Sequence, residues 1–146
     1  MKPLSLKFAA PPLLDFAASD ENDAIRRTTE LMAFHSGITH FGAFVDAIFD
    51  RQKINPPILG NGVAIPHART VLAREIVCVA GRCIRDVPFG PDAIPVRLIF
   101  IFGIPLHLID EYLQLSAELA RKLRDPAVRD GLLAAPTPGE FSALLS

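Results

Sequence analysis

The chain has 146 residues, half of them hydrophobic and 21% charged; this suits one globular domain with a sizeable core and excludes a disordered or fibrous polypeptide. Fifteen basic against sixteen acidic residues leave a formal net charge of −1, so no basic field argues for nucleic acid. The longest apolar run, Ile99 to Leu106, is too short for membrane insertion and is broken by Gly103 and Pro105. The N-terminus lacks a signal-peptide pattern and two cysteines cannot build a disulfide scaffold, so a cytoplasmic protein is expected.

In chain order, Leu4, Leu6 and Phe8 alternate as in a short strand, which Pro11-Pro12 stop. Ser19-Asp20 are N-caps for a helix over about 21–35 carrying Ile25, Leu31, Met32 and Phe34, with Gly37 as its C′ stop. Thr39 caps a second helix near 40–52, where Phe41, Phe44, Val45, Ile48 and Phe49 form an apolar stripe. From Asn55 to Gly62, two prolines and two glycines leave an irregular loop. It ends in the short strand Val63-Ala64-Ile65, followed by Pro66-His67.

Two strand-like runs follow, Ile76 to Ile84 and Val96 to Phe102, with 86–95 as their connection. Leu108, Ile109, Tyr112, Leu113, Leu119 and Leu123 then line a helix of about 108–124. Asp125-Pro126 opens another, and Thr137-Pro-Gly-Glu140 has the spacing of a capping box before a last one. Helices, strands, then helices describe an α/β (α+β) single domain over 1–146, a mixed central β-sheet sandwiched by helices.

The candidate for chemistry is Gly60-Asn61-Gly62-Val63-Ala64-Ile65-Pro66-His67. Glycines permit positive φ, and a short strand then delivers a histidine at its end, where α/β proteins place their sites. A tight hairpin entry with a surface histidine fits the same pattern, and the pattern alone leaves both open. Other candidates are thinner. Cys78 and Cys83, five apart on one strand, lie on opposite faces and read as buried thiols. His35 and His40 lack companion ligands for a metal, and Arg121, Lys122, Arg124 and Arg129 read as a solvated face. No Gly-Lys-Ser/Thr loop supports nucleotide binding, and no cofactor or metal is expected.

The Gly60–His67 segment resembles the active-site motif of enzyme IIA domains of the fructose–mannitol class in the phosphoenolpyruvate-dependent sugar phosphotransferase system, a family with a nitrogen-regulatory branch. Phe49-Asp50-Arg51 is similar to the family's Arg-ended helix before the loop. Glu111-Tyr112-Leu113-Gln114-Leu115 with Leu119-Ala120-Arg121 resembles its Glu-His-Leu-x-x-Leu helix. Asp125-Pro126 and Thr137-x-x-Glu140 also match, so the resemblance spans about residues 8–146.

The resemblance implies that His67 accepts a phosphoryl group from an HPr-type histidine phosphocarrier and passes it to an enzyme IIB domain or uses it to signal to a regulatory target protein. It implies that Arg51 supplies positive charge to the transferring group. Backbone donors around Gly60, Asn61 and Gly62 could add to this as a nest. Ile58, Leu59 and Ile65 are expected as an apolar collar for a protein partner.

Two positions depart from the family pattern: Tyr112 replaces its second histidine, and Asn55-Pro56-Pro57 replaces its Ser-Thr loop. A phenol cannot become cationic, and prolines donate no N–H. His107, five residues before Tyr112, sits well round the helix from it and is no obvious substitute. Three functional readings follow. The first is a phosphocarrier. The second is a divergent binding module without phosphoryl transfer. The last is a small-molecule hydrolase or transferase pairing His67 with Asp50 or Glu111.

Overall fold

A computed structural model describes residues 6–146. Among these residues six strands form one sheet: β1 (Leu13–Phe16), β2 (Ile58–Gly60), β3 (Val63–Ala64), β4 (His67–Arg69), β5 (Val77–Phe89) and β6 (Ile94–Ile104). Five helices accompany them: α1 (Glu21–Thr29), α2 (Phe41–Ile54), α3 (Ile109–Leu123), α4 (Pro126–Ala134) and α5 (Pro138–Ala143). The spatial strand order is β1-β5-β6-β3-β2, with β4 also on β6. β1 runs parallel to β5, β5 antiparallel to β6, and β3 and β4 parallel to β6, so the sheet is mixed.

The apolar run in β6 divides by strand period. Ile99 and Ile101 enter a core with Ile25, Phe44, Ile48 and Val79 beneath α1 and α2. Leu98, Phe100, Phe102 and Ile104 enter a second core with Leu119, Leu132 and Phe141 beneath the last three helices. Continuous hydrophobicity therefore means a strand covered on both faces, and the expected sandwich is present. Cys78 and Cys83 fall into opposite cores, both as buried free thiols.

Several boundaries differ from the sequence expectation. Residues 6–8 of the expected first strand are unpaired, and Leu4 lies outside the described residues. The strand forms after the prolines instead, at Leu13–Phe16. The first helix ends at Thr29 and relaxes into a 3-10 turn over Glu30–Met32, which leaves Phe34 fully exposed. Asp20 does cap it, accepting from the Asp23 N–H at 2.8 Å. Thr39 does not cap α2: its hydroxyl donates to Leu72 O, and His40 stands at the cap with φ 50°.

The irregular loop expected over 55–62 contains strand β2, which pairs antiparallel with β3 across Asn61-Gly62. Both turn residues have positive φ, the Asn-Gly chemistry of a two-residue hairpin. Residues 86–95 also pair rather than loop, with Val87↔Val96, Pro88↔Pro95 and Phe89↔Ile94. Opposed prolines are tolerated because a non-hydrogen-bonded antiparallel pair requires no N–H from either residue.

Asp125 and Thr137 cap α4 and α5 as expected, accepting from Ala127 N and Glu140 N. Leu113, expected on the apolar side of α3, is 55% exposed, since it sits about 100° round the helix from buried Tyr112.

Candidate active site

Strands β3 and β4 are one path along β6, interrupted at Ile65-Pro66. Val63↔Leu98 and Ala64↔Ile99 before the break, and His67↔Phe102 and Ala68↔Gly103 after it, keep the same register. Pro66 donates no N–H, and its carbonyl accepts from Phe102 N at 3.1 Å. The Ile65 N–H turns the other way, to Pro57 O at 2.8 Å, which ties the proline loop to the strand. The break leaves the Ile65 carbonyl free to meet the His67 ring.

His67 Nδ1 lies 2.9 Å from Ile65 O. A carbonyl only accepts, so Nδ1 carries the proton and Nε2 presents its lone pair. His67 is half-buried. Burial lowers its pKa below the ordinary value and the Arg51 charge adds to this, while the Ile65 bond acts in the opposite direction. The imidazole is therefore neutral at neutral pH, with one tautomer fixed.

Tyr112, in the first turns of α3, faces it with ring centroids 5.3 Å apart, and packs edge-on against Phe102 at 5.1 Å. Only 4% of Tyr112 is exposed. Burial and nearby Cys78 push its phenol up to about 12, against the opposing Arg51 charge, so it stays a neutral O–H.

Arg51 lies in the last turn of α2 and donates from Nη1 to the C-cap carbonyl, Asn55 O, at 2.8 Å. Its charge reaches both His67 and Tyr112. The arginine thus serves the helix terminus and the site together.

The remaining predicted residues are placed elsewhere. The Gly60-Asn61-Gly62 turn lies about 16 Å back along the strand path from His67, beside Ala120, Leu123 and Arg124 at the far end of α3. The Gly62 carbonyl is spent on Arg97 N and Leu98 N. Ile65, expected in a collar, is buried in the α3-side core, and Ile58 and Leu59 are half-buried against the two cores. The exposed apolar side chains on the site's elements are Ile54, Leu106 and Leu113.

Asp50 pairs with Lys53 at 3.7 Å, and His67 Nδ1 takes a carbonyl rather than Asp50 or Glu111 as its partner. His107 is exposed in a 3-10 turn over Leu106–Leu108, ahead of the helix. His35 accepts from Gly37 N, and no cluster of three or more metal-ligating side chains occurs among the described residues. In the basic cluster, Arg121 pairs with Glu118, Lys122 donates to Leu145 O, and Arg129 donates to Leu123 O and Arg124 O.

Sequence reasoning missed Arg69. It stands two residues beyond His67 in β4, and alternation puts both on one face, with buried Ala68 on the other. Expecting strand pairing to resume after Pro66 would have revealed it.

The site is thus a half-buried histidine with its Nδ1 proton held by a carbonyl, under the charge of an arginine and carried at the edge of a mixed sheet. The chain belongs to the EIIA 2 family of the phosphoenolpyruvate-dependent sugar phosphotransferase system, whose family model matches residues 13–146. A Nitrogen regulatory protein of Pseudomonas aeruginosa is 34% identical over 88 residues, covering 60% of this chain and 57% of that relative. The crystal structure of Nitrogen Regulatory Protein IIA-Ntr from Neisseria meningitidis superposes with a TM-score of 0.85 at 27% identity, covering 93% of both chains.

The complex of enzyme IIAMTL and phosphorylated enzyme IIBMTL from Escherichia coli contains a chain matched at a TM-score of 0.80 and 25% identity, covering 97% of this chain and 98% of that one. The chain spans 20% to 62% of the length of several curated relatives. No helix among the described residues is long and apolar enough to cross a membrane.

Proposed function

We propose that this chain is a cytoplasmic phosphocarrier of the phosphotransferase system. His67 Nε2 attacks the phosphorus of a phosphohistidine on an HPr-type carrier. The P–N bond to the carrier breaks as the bond to Nε2 forms, and the carrier's imidazole leaves with its electron pair. The observation that supports this most directly is the 2.9 Å contact between His67 Nδ1 and the Ile65 carbonyl, which keeps the proton off Nε2. Arg51 contributes positive charge where the phosphoryl group passes, in line with its effect on both rings.

The recipient is an enzyme IIB domain, as for the mannitol relative, or a regulatory target, as the nitrogen-regulatory relatives suggest. The test is to mix the purified chain with phosphoenolpyruvate, enzyme I and a histidine carrier and to measure an acid-labile mass gain of one phosphate. Labelling lost in His67→Ala supports the reading. An unlabelled chain, beside a control enzyme IIA that is charged, sinks it.

A second reading, a binding module without phosphoryl transfer, is favoured by one observation: Tyr112 fills the place beside His67 with a group that stays neutral and cannot offset phosphohistidine charge. It expects His67→Ala to leave partner binding unchanged.

A further inference from the structure

We propose that Arg69 is a positioning residue of this site: its guanidinium pins the turn entering α3 to strand β4 and thereby holds Tyr112 against His67. The contact stands on geometry alone, while its consequence for transfer rests on the phosphocarrier reading. Arg69 donates twice to a single acceptor, Leu106 O, from Nε at 3.0 Å and from Nη2 at 2.5 Å. Leu106 opens the 3-10 turn Leu106–Leu108, which leads directly into α3.

That turn has no apolar anchor. None of its residues is buried, and Leu106 itself is 46% exposed. Nor does α3 have a side-chain cap at Leu108. The first residue of the helix, Ile109, is half-buried against the core and Tyr112 is its first fully packed residue, on Phe102 and His67; the Arg69 fork on Leu106 is the polar tie that fixes the turn ahead of them. β4 therefore carries the reactive histidine and, on the same face, the side chain that holds the histidine's neighbour in place. A forked guanidinium fixes an angle as well as a distance, which a lysine ammonium does not.

Arg69→Met and Arg69→Lys test this. Arg69 is exposed, so both variants should fold, checked by circular dichroism. In both, the maximal rate of phosphoryl acceptance should fall about tenfold, while the carrier concentration giving half-maximal rate moves less than about twofold. Amide exchange over 106–112 should quicken and the His67–Tyr112 ring NOE should weaken. Full recovery in Arg69→Lys would overturn the proposal in favour of charge alone. A change confined to the half-maximal concentration would overturn it in favour of partner contact. Unchanged exchange and NOE would overturn it whatever the kinetics. If the wild type accepts no phosphoryl group, the functional reading fails, and the exchange and NOE data still decide the role of Arg69.

Discussion

Two polar centres of this molecule use their hydrogen-bonding capacity in opposite ways. Arg82, only 3% exposed in β5, has nearly every donor spent. Nε and Nη2 grip the Asp15 carboxylate at 2.9 and 2.8 Å, and Nη1 reaches Leu132 O and Ala135 O, each at 2.8 Å. It fastens edge strand β1 and the end of α4 to the sheet. At the other centre, His67 spends Nδ1 and leaves Nε2 open, and Arg51 spends one nitrogen on Asn55 O. A saturated centre holds the fold, whereas one with capacity in reserve is available for a ligand.

The sharpest way to break this contrast is to exchange the consequences. His67→Ala should abolish phosphoryl acceptance, with thermal stability near that of the wild type, as mass spectrometry and a melting curve would report. Arg82→Met should do the reverse. Leaving the Leu132 and Ala135 carbonyls without a donor should cost about 3 kcal/mol of unfolding free energy, read by urea titration, with labelling of the folded fraction retained. If Arg82→Met abolished labelling in folded protein, the separation of the two centres would be wrong.

Arg51→Gln should fall between these extremes. Loss of its charge should slow acceptance about tenfold to a hundredfold and raise the His67 pKa, since Arg51 contributes to lowering it. A variant as fast as the wild type would leave Arg51 only its helix-terminal bond to Asn55.

These differences bear on what could be read from the chain alone. The sandwich was legible because hydrophobic periodicity is a local property, and the caps at Asp20, Asp125 and Thr137 were legible from their residue types. His67 stood out through Pro66 and the strand before it. Arg82 and Arg69 were not legible, since each takes its meaning from carbonyls distant in sequence: Leu132 and Ala135 for one, Leu106 for the other. The Gly60–Gly62 run was ambiguous because Asn-Gly hairpin chemistry and phosphate-cradling loops use the same residues, and in the fold it forms the β2–β3 hairpin. Pro88 and Pro95 misled because their pairing depends on register, which no single-strand pattern reveals.

Acid titration separates the two centres again. Arg82 holds the Asp15 carboxyl below its usual range, so the pair's contribution is complete above the unfolded value of about 3.9 and disappears as pH falls through the folded pKa. The stability difference between wild type and Asp15→Asn should therefore be constant near neutrality and narrow only in strong acid.

The smallest effect belongs to His67, and its sign follows from burial. The folded ring has a depressed pKa, so as pH falls below about 6.5 the unfolded chain takes up a proton that the folded chain resists. Stability should decline there until the folded ring also titrates, and His67→Gln should remove that part of the decline. Phosphoryl acceptance should persist further into acid than for an unperturbed imidazole, because Nε2 keeps its lone pair until the folded pKa is reached. A rate that fell with a midpoint at or above 6.5 would mean that the ring is solvated in solution and that Tyr112 does not cover it.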